Sequence, residues 1–262
     1  MPTPVVFIHG LWLHADSWKP WIDLFRAAGY DPIAPGWPGD APTVAESNAH
    51  PERIANVGID DVVAHYATII RGLPAKPIVI GHSFGGLVAQ KLLGMGLAAA
   101  AVALDPAQIR GVLPLPLAQL KSAFPVLGNP FNYKRAISRT PKQFHYGFGN
   151  ALSEQESNAL HAKYHIPAPA KPLFQAALAN FNPATAAKVN TNATRGPLLI
   201  TGGGKDHTVP EVVSRAAYHL YRKAPSVTEY KVFPDRGHSL TVDNGWKEVA
   251  NTSLSWLKSK GL

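Results

Sequence analysis

The sequence predicts an α/β protein built on a mainly parallel sheet, and three observations carry that expectation. Strand-like apolar runs alternate with helical patterns along the 262 residues, Gly81-His82-Ser83-Phe84-Gly85 sits where one such run meets a helix, and acidic and imidazole side chains follow the later runs. Alternation of this kind implies crossovers that lay helices on both faces of a parallel sheet.

The strand-like runs are Val5–Ile8, Asp31–Ala34, Ile78–Ile80, Ala101–Leu104, Leu198–Thr201 and Glu229–Phe233. Between the second and third, Ile59, Val62, Val63, Tyr66, Ile69 and Ile70 recur at helical spacing behind Asp60 and Asp61, whose charges suit a helix N-terminus. Thr208-x-x-Glu211 reads as a capping box for a helix carrying Val213, Ala217, Leu220 and Tyr221. A last helix bears Trp246, Val249, Ala250, Leu254 and Leu257 on its inner side. The rhythm breaks from 112 to 194, a stretch rich in proline and aromatics without a clear buried strand. Ser153-x-x-Glu156 there predicts a helix through Tyr164, and Pro172–Phe181 a second one. The expected organisation is therefore a core from 1–111 and 195–262, with 112–194 a helical cap over the sheet's C-terminal edge, where open α/β sheets bind ligands.

Composition narrows the class. A hydrophobic fraction of 46% with 16% charged residues fits one well-packed core, and the absence of cysteine excludes disulfides, thiol chemistry and cysteine-type zinc sites. The formal charge of +8 is scattered without a basic stripe, which argues against nucleic acid. No segment approaches the roughly 18 apolar residues of a membrane span. No leader pattern precedes Val5, so a cytoplasmic location is expected. Oligomeric state is not legible.

Gly81–Gly85 follows Pro77-Ile78-Val79-Ile80 and opens Gly86-Leu87-Val88-Ala89-Gln90, which is G-x-S-x-G at a strand-to-helix turn. The small flanking residues allow the bend, and the helix aims its N-terminal N–H groups at the serine, where an oxyanion would develop. A serine hydroxyl needs a base to take its proton, and the base needs a partner that fixes its tautomer. His238 follows the last strand and Asp206 the strand before it, so both leave the same sheet edge as Ser83. Their order, Ser83, Asp206, His238, is nucleophile, acid, base.

With these residues the chain resembles the α/β-hydrolase superfamily over nearly its whole length. His9-Gly10-Leu11-Trp12 is similar to the oxyanion loop, Gly81–Gly85 to the nucleophile elbow, Asp206-His207-Thr208-Val209-Pro210 to the acid loop, and Gly237-His238 to the terminal G-H. The oxyanion strand comes first here, without the two strands that precede it in the fullest form of the fold, so the resemblance implies about six strands, all parallel. It also implies that backbone N–H groups of Leu11 and Phe84 form the oxyanion hole and that Trp12 walls an acyl pocket.

Competing readings of these residues are weaker but concrete. Asp105 ends another central strand, where some relatives carry their acid, and is the alternative to Asp206. Asp235 is too near His238 along its loop to orient it and reads as a turn residue. His9 and His82 are expected to brace loops through hydrogen bonds. His161 and His165 stand at i and i+4, but Ala162-Lys163-Tyr164 between them lacks the glutamate of a zinc helix, so a solvated or cap-facing pair is expected. Gly202-Gly203-Gly204-Lys205 lacks the hydroxyl residue of a phosphate loop. Phe124, Phe131, Phe144, Tyr146, Phe148 and Phe174 are candidates to line a pocket or simply to pack. The expected activity is carboxylic ester hydrolysis through an acyl-enzyme, without metal or organic cofactor, on a small-molecule ester. Lactone opening, cofactor-free perhydrolysis or haloperoxidation, and carbon–carbon bond hydrolysis on the same site are the alternatives, with a non-catalytic ligand receptor behind them.

Overall fold

The computed structural model describes residues 2–262. Eight strands form, β1 (Pro4–Ile8), β2 (Asp31–Ile33), β3 (Ile78–His82), β4 (Ala100–Leu104), β5 (Ala136–Ile137), β6 (Ala168–Pro169), β7 (Leu198–Gly203) and β8 (Thr228–Phe233). Six of them make one sheet in the order β2-β1-β3-β4-β7-β8, and every pairing in it is parallel. The helices are α1 (Lys19–Ala27), α2 (Val44–Ala49), α3 (Ile59–Arg71), α4 (Phe84–Gly94), α5 (Leu117–Leu127), α6 (Pro141–Gly147), α7 (Glu154–Tyr164), α8 (Lys171–Ala177), α9 (Glu211–His219) and α10 (Trp246–Ser259).

The period-two alternation of the strands builds two cores, one on each sheet face. Val6, Ile8, Val79, Ala101, Ala103 and Ile200 face α3, α4 and α9. Val5, Phe7, Ile78, Ile80, Val102 and Leu199 face α1 and α10, which contribute Trp21, Phe25, Val249, Leu254 and Leu257. On that second face Phe7 stacks on Trp18 at 4.9 Å and meets Phe25 edge-on at 5.2 Å, so aromatic area anchors the N-terminal half. The acidic start expected for α3 is present, and Asp61 Oδ2 accepts the N–H of Gly58 at 2.7 Å.

Three local expectations change in the structure. The Thr208–Glu211 capping box does not form, because the fixed backbone of Pro210 starts α9 and Glu211 turns aside to Arg215 and Tyr230. Ser153 Oγ does cap α7 by accepting from Glu156 N, but the return bond is absent, since the Glu156 carboxylate binds Asn244 instead. The helix read over Pro172–Phe181 divides into α8 and a 3₁₀ turn at Ala179–Phe181. Between β4 and β7 the chain adds no strand to the main sheet, only helices and the short antiparallel pair β5–β6, which periodicity is too brief to reveal.

The order β2-β1-β3 means the chain runs outward from β1 and returns on its other side. The loops leaving β1 and β3 therefore diverge, and a crevice opens at the carboxyl ends of those strands. Truncating the aromatic anchor tests this core: Phe25→Ala is expected to cost about 3–5 kcal/mol in urea unfolding.

Candidate active site

The chain leaving four neighbouring strands, β3, β4, β7 and β8, carries Ser83, Asp105, Asp206 and His238, and the sheet order brings these side chains together. His238 Nε2 lies 3.0 Å from Ser83 Oγ, and His238 Nδ1 lies 2.6 Å from Asp206 Oδ2. All three residues are buried. An ionised carboxylate only accepts, so Nδ1 carries the imidazole hydrogen and Nε2 is left to accept the serine proton. Asp206 Oδ1 is held in turn by the N–H groups of Thr208 (2.7 Å) and Val209 (2.8 Å). That explains the role of Thr208, whose hydroxyl donates to the Gly147 carbonyl at 2.8 Å rather than capping α9.

The serine is presented by strain. Ser83 has φ 56° and ψ −119°, a region that L-residues rarely occupy. Its carbonyl accepts from Gly86 N and Ala107 N, both at 2.9 Å, which pins the turn from two sides. Glycine is required where the loop after β1 crosses it, because a Cβ on Gly10 would sit 2.7 Å from Ser83 Cβ. The N–H groups of Leu11 and Phe84 make no hydrogen bond to a protein acceptor among the described residues, and Phe84 is the first residue of α4. Trp12 has φ 67°, donates Nε1–H to the Ile137 carbonyl at 2.8 Å and lines the cavity in front of Ser83.

Asp105 does not contact His238 as an orienting acid. Its Oδ1 accepts from Thr201 Oγ1 (3.0 Å) and its Oδ2 from Gly203 N (2.9 Å), beside Asp206. Burial and the neighbouring Asp206 carboxylate push the Asp105 carboxyl well above the usual carboxylate range. The two carboxyls thus differ in partners, Asp206 facing His238 and Asp105 facing Thr201 and Gly203. Asp235 lies on the surface and pairs with Lys205 at 3.2 Å.

The two flanking histidines behave differently. His9 braces the oxyanion loop, with Nε2 2.9 Å from Asp40 Oδ2 and Nδ1 2.9 Å from the Gly10 carbonyl. His82 makes no hydrogen bond through its ring, contrary to the bracing expected of it. It packs 4.7 Å from the His238 ring, and burial, with that second imidazole beside it, pushes its pKa well below the usual value.

The cavity holding Ser83 measures about 140 Å³ and is lined mainly by Phe84, Leu115, Leu120, Leu127, Leu173 and Val209, with Arg139 at its side. None of the six aromatics singled out in the sequence lines it. Phe131 is exposed, while Phe144 and Phe148 stack at 4.9 Å behind the site, and Phe148 packs edge-on against His238. Phe124 and Tyr146 line an adjoining groove instead. Leucine periodicity on α5 was the signal available for the true lining. His161 is half-buried and His165 buried, and both turn inward to hold the backbone of Arg139, a residue that nothing in the sequence pattern marked.

With this geometry in place, the comparisons with known proteins are consistent. The chain belongs to the alpha/beta hydrolase family, whose sequence pattern matches residues 5–252. No curated protein matches it significantly in sequence. Among solved structures it is similar to a monoacylglycerol lipase from Paleococcus ferrophilus (20% identity, TM-score 0.66, covering 99% of this chain and 97% of that one). It is also similar to a methylesterase from Arabidopsis (18%, TM-score 0.66, 98% and 99% covered). A pyrethroid hydrolase from Sphingobium faniae shares the fold too (16%, TM-score 0.67, 98% and 97% covered). Among the described residues no helix is long and apolar enough to cross a membrane.

The raised pKa of Asp105 gives this site a pH signature. The folded pKa of Asp105 is raised, so its stabilising contribution is complete below the ordinary value of 3.8 and is lost as pH rises through the folded value. Urea unfolding across that range should show a falling component in wild type that Asp105→Asn abolishes.

Proposed function

We propose that this protein is a serine hydrolase that cleaves small carboxylic esters through an acyl-enzyme, and the observation that carries the reading is the buried Ser83–His238–Asp206 hydrogen-bonded chain. Ser83 Oγ attacks the ester carbonyl carbon while His238 Nε2 takes the hydroxyl proton. Asp206 holds the Nδ1 tautomer and stabilises the imidazolium without itself taking the proton. The N–H groups of Leu11 and Phe84 receive the oxyanion, each worth about 3–4 kcal/mol in the transition state. Imidazolium then protonates the departing alcohol. In the second half His238 accepts a proton from water, the hydroxide adds to the acyl carbon, and the acid leaves as the proton returns to Ser83.

Residues 112–194 act in this reading as a cap. Pinning of the His238 loop supports it, since Ser239 N donates to the Phe148 carbonyl at 3.1 Å. So does the bond from Ile166 N to the Trp12 carbonyl at 3.2 Å, which ties the cap to the oxyanion loop. Trp12 is the wall of the acyl pocket. A cavity of about 140 Å³ suits short acyl groups. No step needs a metal or organic cofactor. The ester-cleaving enzymes with the same fold favour this class of substrate without naming the compound.

The test is hydrolysis of a 4-nitrophenyl ester series from acetate to palmitate. Activity should peak between acetate and hexanoate and fall about 10⁶-fold in Ser83→Ala. Asp206→Asn should lose about 10⁴-fold in kcat by leaving His238 in the wrong tautomer. Absence of turnover on every ester would overturn the reading and direct attention to lactones, vinylogous diketones and peroxide.

A further inference from the structure

We propose that Arg139 forms an anion subsite beside Ser83, selecting esters that carry a free carboxylate on the part of the substrate lodged in the cavity. This rests on the ester-hydrolase reading and names its substrate class.

Arg139 lies between β5 and α6, 5% exposed, and is the only charged residue lining the Ser83 cavity among the described residues. Its guanidinium lies 4.1 Å over the Trp12 ring, and Nη1 donates to the Ser122 carbonyl at 2.6 Å. Nε is buried without a partner, and among the described residues no carboxylate pairs with the group. A buried cation is costly unless an anion compensates it. Burial pulls its pKa down to about 10, which leaves it charged at neutral pH.

Several elements hold this charge in place. Arg139 N donates to His165 Nε2 at 3.0 Å, and the Arg139 carbonyl accepts from His161 Nε2 at 2.9 Å. The two imidazoles stack 4.3 Å apart. His165 can accept only when neutral, and burial together with the charges of His161 and Arg139 holds its pKa down to about 3. The i, i+4 histidine pair therefore clasps one peptide rather than a metal.

Chemistry selects the ligand. With Nη1 engaged by Ser122 and Nε left without a partner, the bonding capacity Arg139 still has calls for an oxygen acceptor, and a guanidinium pairs best with the planar oxygens of a carboxylate. The groove adjoining the cavity at Arg139 adds Lys121 and Lys142 and no acidic residue, so the approach also favours an anion. If the guanidinium served only to pack on Trp12 and bond Ser122, no preference between charged and neutral esters would follow.

The experiment compares 4-nitrophenyl valerate with mono-4-nitrophenyl glutarate, which match in chain length. Wild type should favour the glutarate in kcat/KM by about tenfold or more, chiefly through KM, and Arg139→Met should cut that ratio about tenfold or more, whatever it does to both rates in common. Arg139→Lys should restore only part of the ratio, because an ammonium keeps the charge without the guanidinium's planar set of donors. Equal or inverted wild-type preference would overturn the subsite while leaving ester hydrolysis intact. Should Arg139→Met not fold, glutarate must still inhibit wild type more strongly than valerate. If neither ester turns over, the ester reading fails, and calorimetric titration of monomethyl glutarate into wild type decides the subsite: saturable binding weakened in Arg139→Lys and lost in Arg139→Met supports it, and no binding, or binding kept in Arg139→Met, overturns it.

Discussion

Everything at this site depends on one strained residue. Ser83 occupies a backbone region that its own side chain disfavours, and the surrounding chain over-determines it. Its N–H donates to the Leu104 carbonyl at 2.9 Å, its carbonyl takes the N–H groups of Gly86, Leu87 and Ala107, and α4 begins immediately behind it. Such a turn is stable only at the end of a central strand, where sheet hydrogen bonds on both sides prevent relaxation. The parallel sheet therefore supports the strain at Ser83.

The same strand order arranges the charges. Adjacent strands β4, β7 and β8 crowd two carboxyls and an imidazole into a dry space, where two like charges cannot both persist. Asp206 receives two backbone N–H groups and faces His238, whereas Asp105 receives one N–H and a hydroxyl, and burial with the neighbouring Asp206 carboxylate raises its pKa.

The segment between β4 and β7 completes the cavity from outside the sheet. It supplies the apolar walls, seals His238 behind Phe148 and brings in the buried cation Arg139. Holding that cation draws on Trp12 from the first loop, Ser122 from α5 and two histidines at the end of α7. Residues distant in sequence thus converge on one guanidinium, and the geometry exists only when the segment is docked.

The six-stranded parallel sheet, the turn at Ser83 and the edge shared by Ser83, Asp206 and His238 were legible from sequence, because they follow from local periodicity, glycine placement and the ends of strands. Helix α7 was legible for the same reason. The sequence named Asp206 with Asp105 as its alternative, and the fold adds that Asp206 Oδ2 lies 2.6 Å from His238 Nδ1 while Asp105 bonds Thr201 and Gly203. The failure of Thr208 as a helix cap, the unbonded ring of His82 and the aromatics that turned away from the cavity are likewise tertiary outcomes. Arg139 and its histidine clasp left no periodic or spaced trace. A charge's role is set by what surrounds it in three dimensions, and short-range sequence order carries no record of which partners the fold withholds.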